Sequence, residues 1–310
     1  MYKKPDLSII IPFYFQVDTV IQTLNEINNQ IKSIKKIIEV LIIDSNTNAA
    51  MINVEKYIKK NSYLSLTILQ TKNIVSKKRN FGINFAKADY IIFLDDDVVP
   101  KNGFLKKFLD ISKKNNKVLT SCLVDFEEPR NSYLYYRRRK ENSVKKYITN
   151  EKGINPRFAT SMAFGVKRSD IIDNNLYFDE KFIGYGWEDV SYFIEAENKG
   201  LKLRIADIYV IHKESDSYQK YFKKQVLMGS WYKYFLQKHP NHGRKMKLHI
   251  LYKFLPLFKF CLPTLKESGK FLEYLIKKKY PFNNFKFYVY ELYFKYANIL
   301  GMLSDSIKYE

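Results

Sequence analysis

The sequence predicts an α/β protein: a mostly parallel, Rossmann-like sheet flanked by helices, with a helical C-terminal extension. Three observations point there. Short apolar runs alternate with stretches of helical period through the first half of the chain, as successive β–α–β units do. Those runs are almost unbroken by polar residues, as in "LSIIIP", the pattern of strands covered on both faces. From about residue 216 the texture shifts to lysines and aromatics at helix-like spacing. The expected organisation is therefore residues 1–215 as an α/β domain and 216–310 as a basic, aromatic-rich helical extension. No internal repeat is visible.

The elements follow in order. The isoleucine run of Leu7 to Phe15 reads as a first strand, and "VDTVIQTLNEINNQI" after it has helical period. Glu39 to Asp44 forms a second strand, and "AAMINVEKYIKKN" a helix. Ser65 to Thr71 is a third strand, "SKKRNFGINFAKA" a helix and "DYIIFLDDD" a fourth strand. After Pro100 comes a helix, "GFLKKFLDISKKN", and then a strand, "KVLTSCLVDF". Residues 127–155 are polar and strongly basic and read as a mobile loop or lid. "FATSMAFGVKR" is a strand, "YFDEKFIGYGWEDVSYFIEAENKG" a loop running into a helix, and "LRIADIYVIH" the last strand.

The formal charge of +21 over 310 residues implies attraction to something anionic: nucleic acid, acidic lipid or a phosphorylated small molecule. It equally fits a general lysine bias. Residues 216–310 hold 18 Lys and Arg against 6 Asp and Glu. Basic and aromatic residues together suit an anionic membrane surface, while a helical subdomain packed on the first domain is the plainer account. Cys122 and Cys261 lie far apart, so a disulfide framework is not expected and a reducing, cytoplasmic setting fits. The N-terminus lacks the apolar core and cleavage site of a signal peptide. No stretch of about 20 residues is free of charge. The nearest approach, Leu248 to Leu265, carries two lysines and two prolines and suits a membrane surface or a core. The expected location is cytoplasmic, with peripheral contact on the cytoplasmic face of the inner membrane.

Chemistry concentrates at strand ends. Asp95, Asp96 and Asp97 follow the apolar "YIIFL". Three adjacent carboxylates disfavour one another's ionisation, so a compensating cation is expected. Asp95 and Asp97, one residue apart, suit a hard divalent ion bridging carboxylate and phosphate oxygens; a solvated acidic turn is the plain alternative. In doubly wound sheets ligands bind beyond the carboxyl ends of the strands, so Asp44, closing the second strand, is expected on the same rim. In "GYGWEDVSY" the glycines permit a tight, approachable loop, Trp187 offers a flat face suited to a sugar ring, and Glu188 and Asp189 open a helix where negative charge is favoured. A carboxylate there serves as general base for an incoming hydroxyl or simply as an N-terminal cap. His212, at a strand end, is either a metal ligand or structural. Arg79 pairs with phosphate or lies on a solvated helix face.

Five segments occur together in order: "LSIIIPFYF", "VLIIDS", "KKRNFGINFA", "IIFLDDDV" and "FIGYGWEDVSY". In that order and spacing they resemble glycosyltransferase family 2, with its GT-A fold, over roughly residues 5–215. "GYGWED" is similar to the subset that includes galactosyl- and N-acetylgalactosaminyltransferases and capsule-type polymerases. The resemblance implies an inverting, metal-dependent transfer of a hexose or N-acetylhexosamine from a UDP-sugar to a hydroxyl of a glycan or lipid-linked acceptor, in surface polysaccharide synthesis. It implies that Pro12 and Phe13 line the nucleotide pocket, that Asp44 contacts uracil, and that Arg79 and Asn80 lie beside the nucleotide. Asp95 would touch the ribose or sugar side, Asp96 occupy the variable middle position, and Asp97 bind Mn²⁺ or Mg²⁺, with His212 as a later metal ligand. Glu188 would bind the acceptor, beside Gly186 and Trp187, and Asp189 would be the base.

Two departures stand out. Ser45-Asn46-Thr47 follow Asp44 where the family usually has a second aspartate and then Gly-Ser. Trp187 stands where a third glycine is frequent. Two rival classes remain. A nucleic-acid-binding protein would explain the charge and "YYRRRK" but not an acidic rim, so nucleic acid is not an expected partner. A non-catalytic nucleotide-sugar binder is the nearer rival, given the missing second aspartate.

Overall fold

The computed structural model describes residues 3–45, 64–114, 117–148, 153–213, 217–245, 250, 253–278 and 281–304. The helix expected over "AAMINVEKYIKKN" lies outside these residues, as do Asn46 and Thr47 and part of Leu248 to Leu265. The chain divides into two compact units. The first comprises Met1–Glu127, Lys140–Ile183 and Tyr192–Glu214; the second Glu128–Arg139, Gly184–Ser191 and Ser215–Glu310.

The first unit holds one eight-stranded sheet in the order β3-β2-β1-β4-β7-β6-β8-β5. Its strands are β1 (Leu7–Pro12), β2 (Ile38–Asp44), β3 (Leu64–Gln70), β4 (Tyr90–Leu94), β5 (Val98–Pro100), β6 (Val118–Phe126), β7 (Ala163–Lys167) and β8 (Lys202–His212). β1, β2, β3 and β4 pair in parallel, as do β6 and β8. β7 runs antiparallel to β4 and β6, and β5 antiparallel to β8.

Strand alternation sends side chains to two cores. Ile9, Ile11, Val40, Ile42 and Ile92 face one side, where α1 (Val17–Ile34) lays down Val20, Leu24, Ile27 and Ile31 and α3 (Phe104–Lys114) lays down Phe104 and Phe108. Those helical residues recur every three or four positions, the spacing of a single buried stripe. Ile10, Leu41, Ile43, Ile91 and Phe93 face the other side, against Ile83 of α2 (Val75–Phe85) and Phe193 and Ala196 of α6 (Glu188–Asn198). Both faces are therefore covered, which is why the strands read as unbroken apolar runs. α5 (Arg168–Asp173) follows β7 directly. β5 and α5 are short elements the periodicity does not announce.

The second unit is helical. It contains α4 (Ser132–Asn142, as far as Arg139), α7 (Tyr218–Ser230), α8 (Tyr232–Lys238), α9 (Pro240–Lys245), α10 (Leu255–Phe260), α11 (Leu262–Lys277) and α12 (Asn284–Leu303). Asn283 caps α12 by accepting from the Lys286 N–H at 2.9 Å, one of the donors a helix start leaves without an intrahelical partner. Its core is aromatic: Tyr133 and Tyr136 of α4, Tyr221 of α7, and Tyr290, Tyr293 and Phe294 of α12. Tyr136 donates its hydroxyl to Glu291 at 2.7 Å, and Ser132 bonds Tyr290 at 2.9 Å. The loop expected over residues 127–155 is thus corrected: its "SYLYYRRRKEN" segment is α4, and Tyr133, Leu134, Tyr136 and Arg137 are buried. Burial of Tyr133, Leu134 and Tyr136 outweighs the basic run that made the segment look like loop.

Candidate active site

The parallel register places the carboxyl ends of β2, β1 and β4 side by side. Pro12 pairs with Ile43 and Ile10 with Phe93, so Asp44 and the Asp95–Asp97 turn flank Phe13 and Tyr14. Pro12 ends β1. Phe13 turns its ring into the core and offers only backbone: its N–H donates to Ile43 and its carbonyl accepts from Lys78. Asp44 is buried, and its Oδ1 accepts the Ser45 N–H at 2.6 Å.

Lys78 is the residue that sequence reasoning passed over. It is buried, and its Nζ donates to the Phe13 carbonyl at 2.6 Å, Asn73 Oδ1 at 2.9 Å and Ser45 Oγ at 3.3 Å. One cation thus ties the ends of β1 and β2 to α2. Burial lowers its pKa, while Asp44 and Asp96 pull it back up. Its signal is visible only in retrospect, as a lysine on the inward side of "VSKKRNF".

Among the three aspartates, burial pushes the Asp96 carboxyl up to about 7; the Tyr14 N–H, which it accepts, opposes this, and Asp97 and Asp95 add to it. The like-charge conflict read from "DDD" is therefore a property of the folded rim. Asp95 is held by Arg79 at 2.7 Å, and the Arg79 guanidinium lies over the Phe178 ring at 5.1 Å. Arg79 is buried, so the solvated-face account fails and the guanidinium positions a carboxylate. Asn80 donates to the Phe178 carbonyl at 2.9 Å and to Glu180 at 3.0 Å and accepts from the Phe178 N–H at 2.8 Å. Its amide anchors the Phe178–Glu180 segment.

Asp97 and His212 meet. Val98 pairs with His212 across β5 and β8, and the Lys213 N–H donates to the Asp97 carbonyl at 2.8 Å. This fixed backbone brings His212 Nε2 to 3.1 Å from Asp97 Oδ2. The edge of Phe126, 5.6 Å away by ring centroids, packs against the imidazole. A carboxylate oxygen in the turn before β5 and an imidazole nitrogen at the end of β8 fit a divalent ion of the Mn²⁺ or Mg²⁺ type. No group of three or more such ligands converges among the described residues.

The "GYGWED" segment belongs to the second unit. Gly186 has φ +120° and a Cβ there would lie 2.8 Å from Met228 Cα, so glycine is required twice over. Glu188 is buried, and its Oε2 accepts the Gly186 N–H at 3.2 Å, closing the loop on itself. Asp189 is half-buried in the first turn of α6, and its Oδ1 accepts the Val190 N–H at 2.7 Å. The Trp187 ring is not presented for stacking on a sugar. It is buried, lies 4.3 Å from the Phe235 ring at 30°, meets Tyr232 edge-on, and donates its N–H to the Met228 carbonyl at 2.9 Å. The indole anchors the loop because that loop turns through a left-handed φ of 66° at Trp187. Below it, Ser191 bonds His239 at 2.8 Å, both buried.

A mixed sheet with parallel strands β1 to β4, an acidic turn after β4 and a helical cover on both faces is the architecture of GT-A glycosyltransferases. Residues 8–174 match the family model for glycosyl transferase family 2. The chain belongs to glycosyl transferase family 2. It is 32% identical over 116 residues to an uncharacterized glycosyltransferase of Haemophilus influenzae, a match covering 37% of this chain and 46% of that protein. It is 29% identical over 176 residues to the poly(ribitol-phosphate) β-N-acetylglucosaminyltransferase TarP of Staphylococcus aureus, covering 56% of this chain and 46% of that one. The matches thus span under half the length of these curated relatives. Among solved structures, the mannosyltransferase PcManGT of Pyrobaculum calidifontis, in complex with GDP-Man and Mn²⁺, superposes with a TM-score of 0.62 at 17% identity, covering 98% of this chain and 88% of that one. S. aureus TarS residues 1–349 gives 0.50 at 18% identity, covering 73% and 65%. At such identities these superpositions speak for the fold.

Proposed function

We propose that this chain transfers a hexose or N-acetylhexosamine from a UDP-sugar to a hydroxyl of a glycan or lipid-linked acceptor, with inversion, in surface polysaccharide synthesis, at the face of an anionic membrane. The observation that carries the reading is the Asp97–His212 pair at 3.1 Å, next to the β1, β2 and β4 ends that bear Asp44, Asp95 and Asp96, in a chain of this family. The poly(ribitol-phosphate) transferase TarP among its relatives supports a polymeric acceptor.

Asp97 and His212 would hold Mn²⁺ or Mg²⁺. When bound, such an ion supplies charge neutralisation at the diphosphate leaving group. Asp44 receives the uracil base, and Lys78 holds its rim in shape while balancing Asp44 and Asp96. Arg79 keeps Asp95 turned toward the ribose side. Asp189 accepts the proton of the acceptor hydroxyl as its oxygen forms the new bond to the anomeric carbon and the bond to the UDP oxygen breaks. One displacement inverts the anomeric centre. Glu188 supports this by fixing the Gly186 turn that precedes the base.

UDP release with Mn²⁺ is measured across UDP-Gal, UDP-GalNAc, UDP-Glc and UDP-GlcNAc, with GDP-Man as the competing nucleotide. The reading expects turnover with at least one UDP-sugar, abolished by chelator. Binding without turnover would make the chain a nucleotide-sugar binder, and turnover with GDP-Man alone would overturn the donor class.

A further inference from the structure

We infer that the α10 turn of the second unit is the segment that enters the lipid headgroup region of an anionic bilayer, a placement that rests on the membrane-surface part of the reading above. Phe254, Leu257 and Phe260 recur every three residues through continuous helical hydrogen bonds, Phe258 N–H to the Phe254 carbonyl and Cys261 N–H to the Leu257 carbonyl. That spacing puts them on one face. They are 51%, 54% and 86% exposed, and α10 buries no residue at all. A helix with no fully buried residue that carries leucine and phenylalanine outward presents an apolar surface to be covered.

Charge decides which phase. Lys253 and Lys259 are exposed and frame the turn, and residues 253–278 carry six Lys against two Glu. A second copy of this chain laid on the same face would set lysine against lysine. An anionic bilayer accepts the aromatic side chains and neutralises the ammonium groups in one contact. Prolines at Pro256 and Pro263 each sit in the first turn of a helix and keep α10 and α11 separate. No helix among the described residues is long and apolar enough to cross a membrane, so the contact is interfacial.

The chain offers its own reporter. Cys261 is exposed beside Phe260, whereas Cys122 is buried, so an environment-sensitive fluorophore attaches at the turn. The full chain is mixed with vesicles of phosphatidylcholine alone or of phosphatidylcholine with phosphatidylglycerol, at low salt. The expected result is sedimentation with the anionic vesicles, a blue shift of the fluorophore there, and a loss of about tenfold or more in partitioning for Phe254→Ser/Leu257→Ser/Phe260→Ser. Lys253→Gln/Lys259→Gln, which removes no apolar surface, should weaken the same binding, and unchanged circular dichroism certifies both variants. Wild-type sedimentation that survives the triple substitution, with no blue shift, would overturn this placement while leaving membrane association standing. No sedimentation of wild type would overturn both. A dimer in ultracentrifugation that the triple variant dissolves would assign the face to a second copy instead.

Discussion

At the scale of the residue, two adjacent carboxylates have different surroundings. Glu188 is buried and bonded to the Gly186 N–H, a contact that shapes the loop; Asp189 is the more exposed of the two and is held by the adjacent Val190 N–H. A base must meet the hydroxyl it deprotonates, and a positioned base contributes about 10²- to 10⁴-fold to the rate. Asp189→Asn keeps the shape and the hydrogen-bond acceptor. Its turnover should fall by that factor while UDP-sugar affinity, read by calorimetry, stays within about twofold; near-full turnover would remove Asp189 from the role. The carboxylates were legible in sequence because charge at the end of an apolar strand is conspicuous. Their holders were not. Arg79 and Asn80 read as lying beside the nucleotide, and only the fold shows Arg79 paired with Asp95 and Asn80 bonded to the Phe178 backbone. Lys78, one of three basic residues in a row, has nothing in its local pattern to say that it points inward.

At the scale of the element, the parallel strands were legible to within about three residues, because most of them are buried on both faces and read as apolar runs. The segments misread are those whose burial depends on partners distant in sequence. α4 looks like a basic loop until Tyr221, Tyr290 and Phe294, more than 80 residues further on, supply its cover. β5 is three residues long and exists because β8 pairs with it. In the second unit α7 and α12 approach closely at two glycines: a Cβ on Gly301 would lie 1.9 Å from the Val226 carbonyl oxygen and 2.9 Å from Gly229 Cα. Backbone on backbone cannot yield as a flexible side chain does. Gly301→Ala should therefore cost about 1–3 kcal/mol by overpacking, read as a lower urea midpoint at unchanged slope. An unchanged midpoint would mean that the two helices do not cross at these residues.

At the scale of the whole molecule, a chain of net charge +21 keeps a concentrated acidic rim at its strand ends. The excess positive charge draws anions in general. Three adjacent carboxylates at that rim oppose an anion that approaches without a cation, so under the proposed function a divalent ion is required for a diphosphate to bind there. The most direct test is calorimetry of UDP binding to the full chain and to Asp97→Ala, each with Mn²⁺ and with chelator. The account predicts a binding heat for wild type only with Mn²⁺, and none for Asp97→Ala under either condition. Equal UDP affinity in the presence of chelator, or Mn²⁺-dependent binding retained by Asp97→Ala, would contradict it.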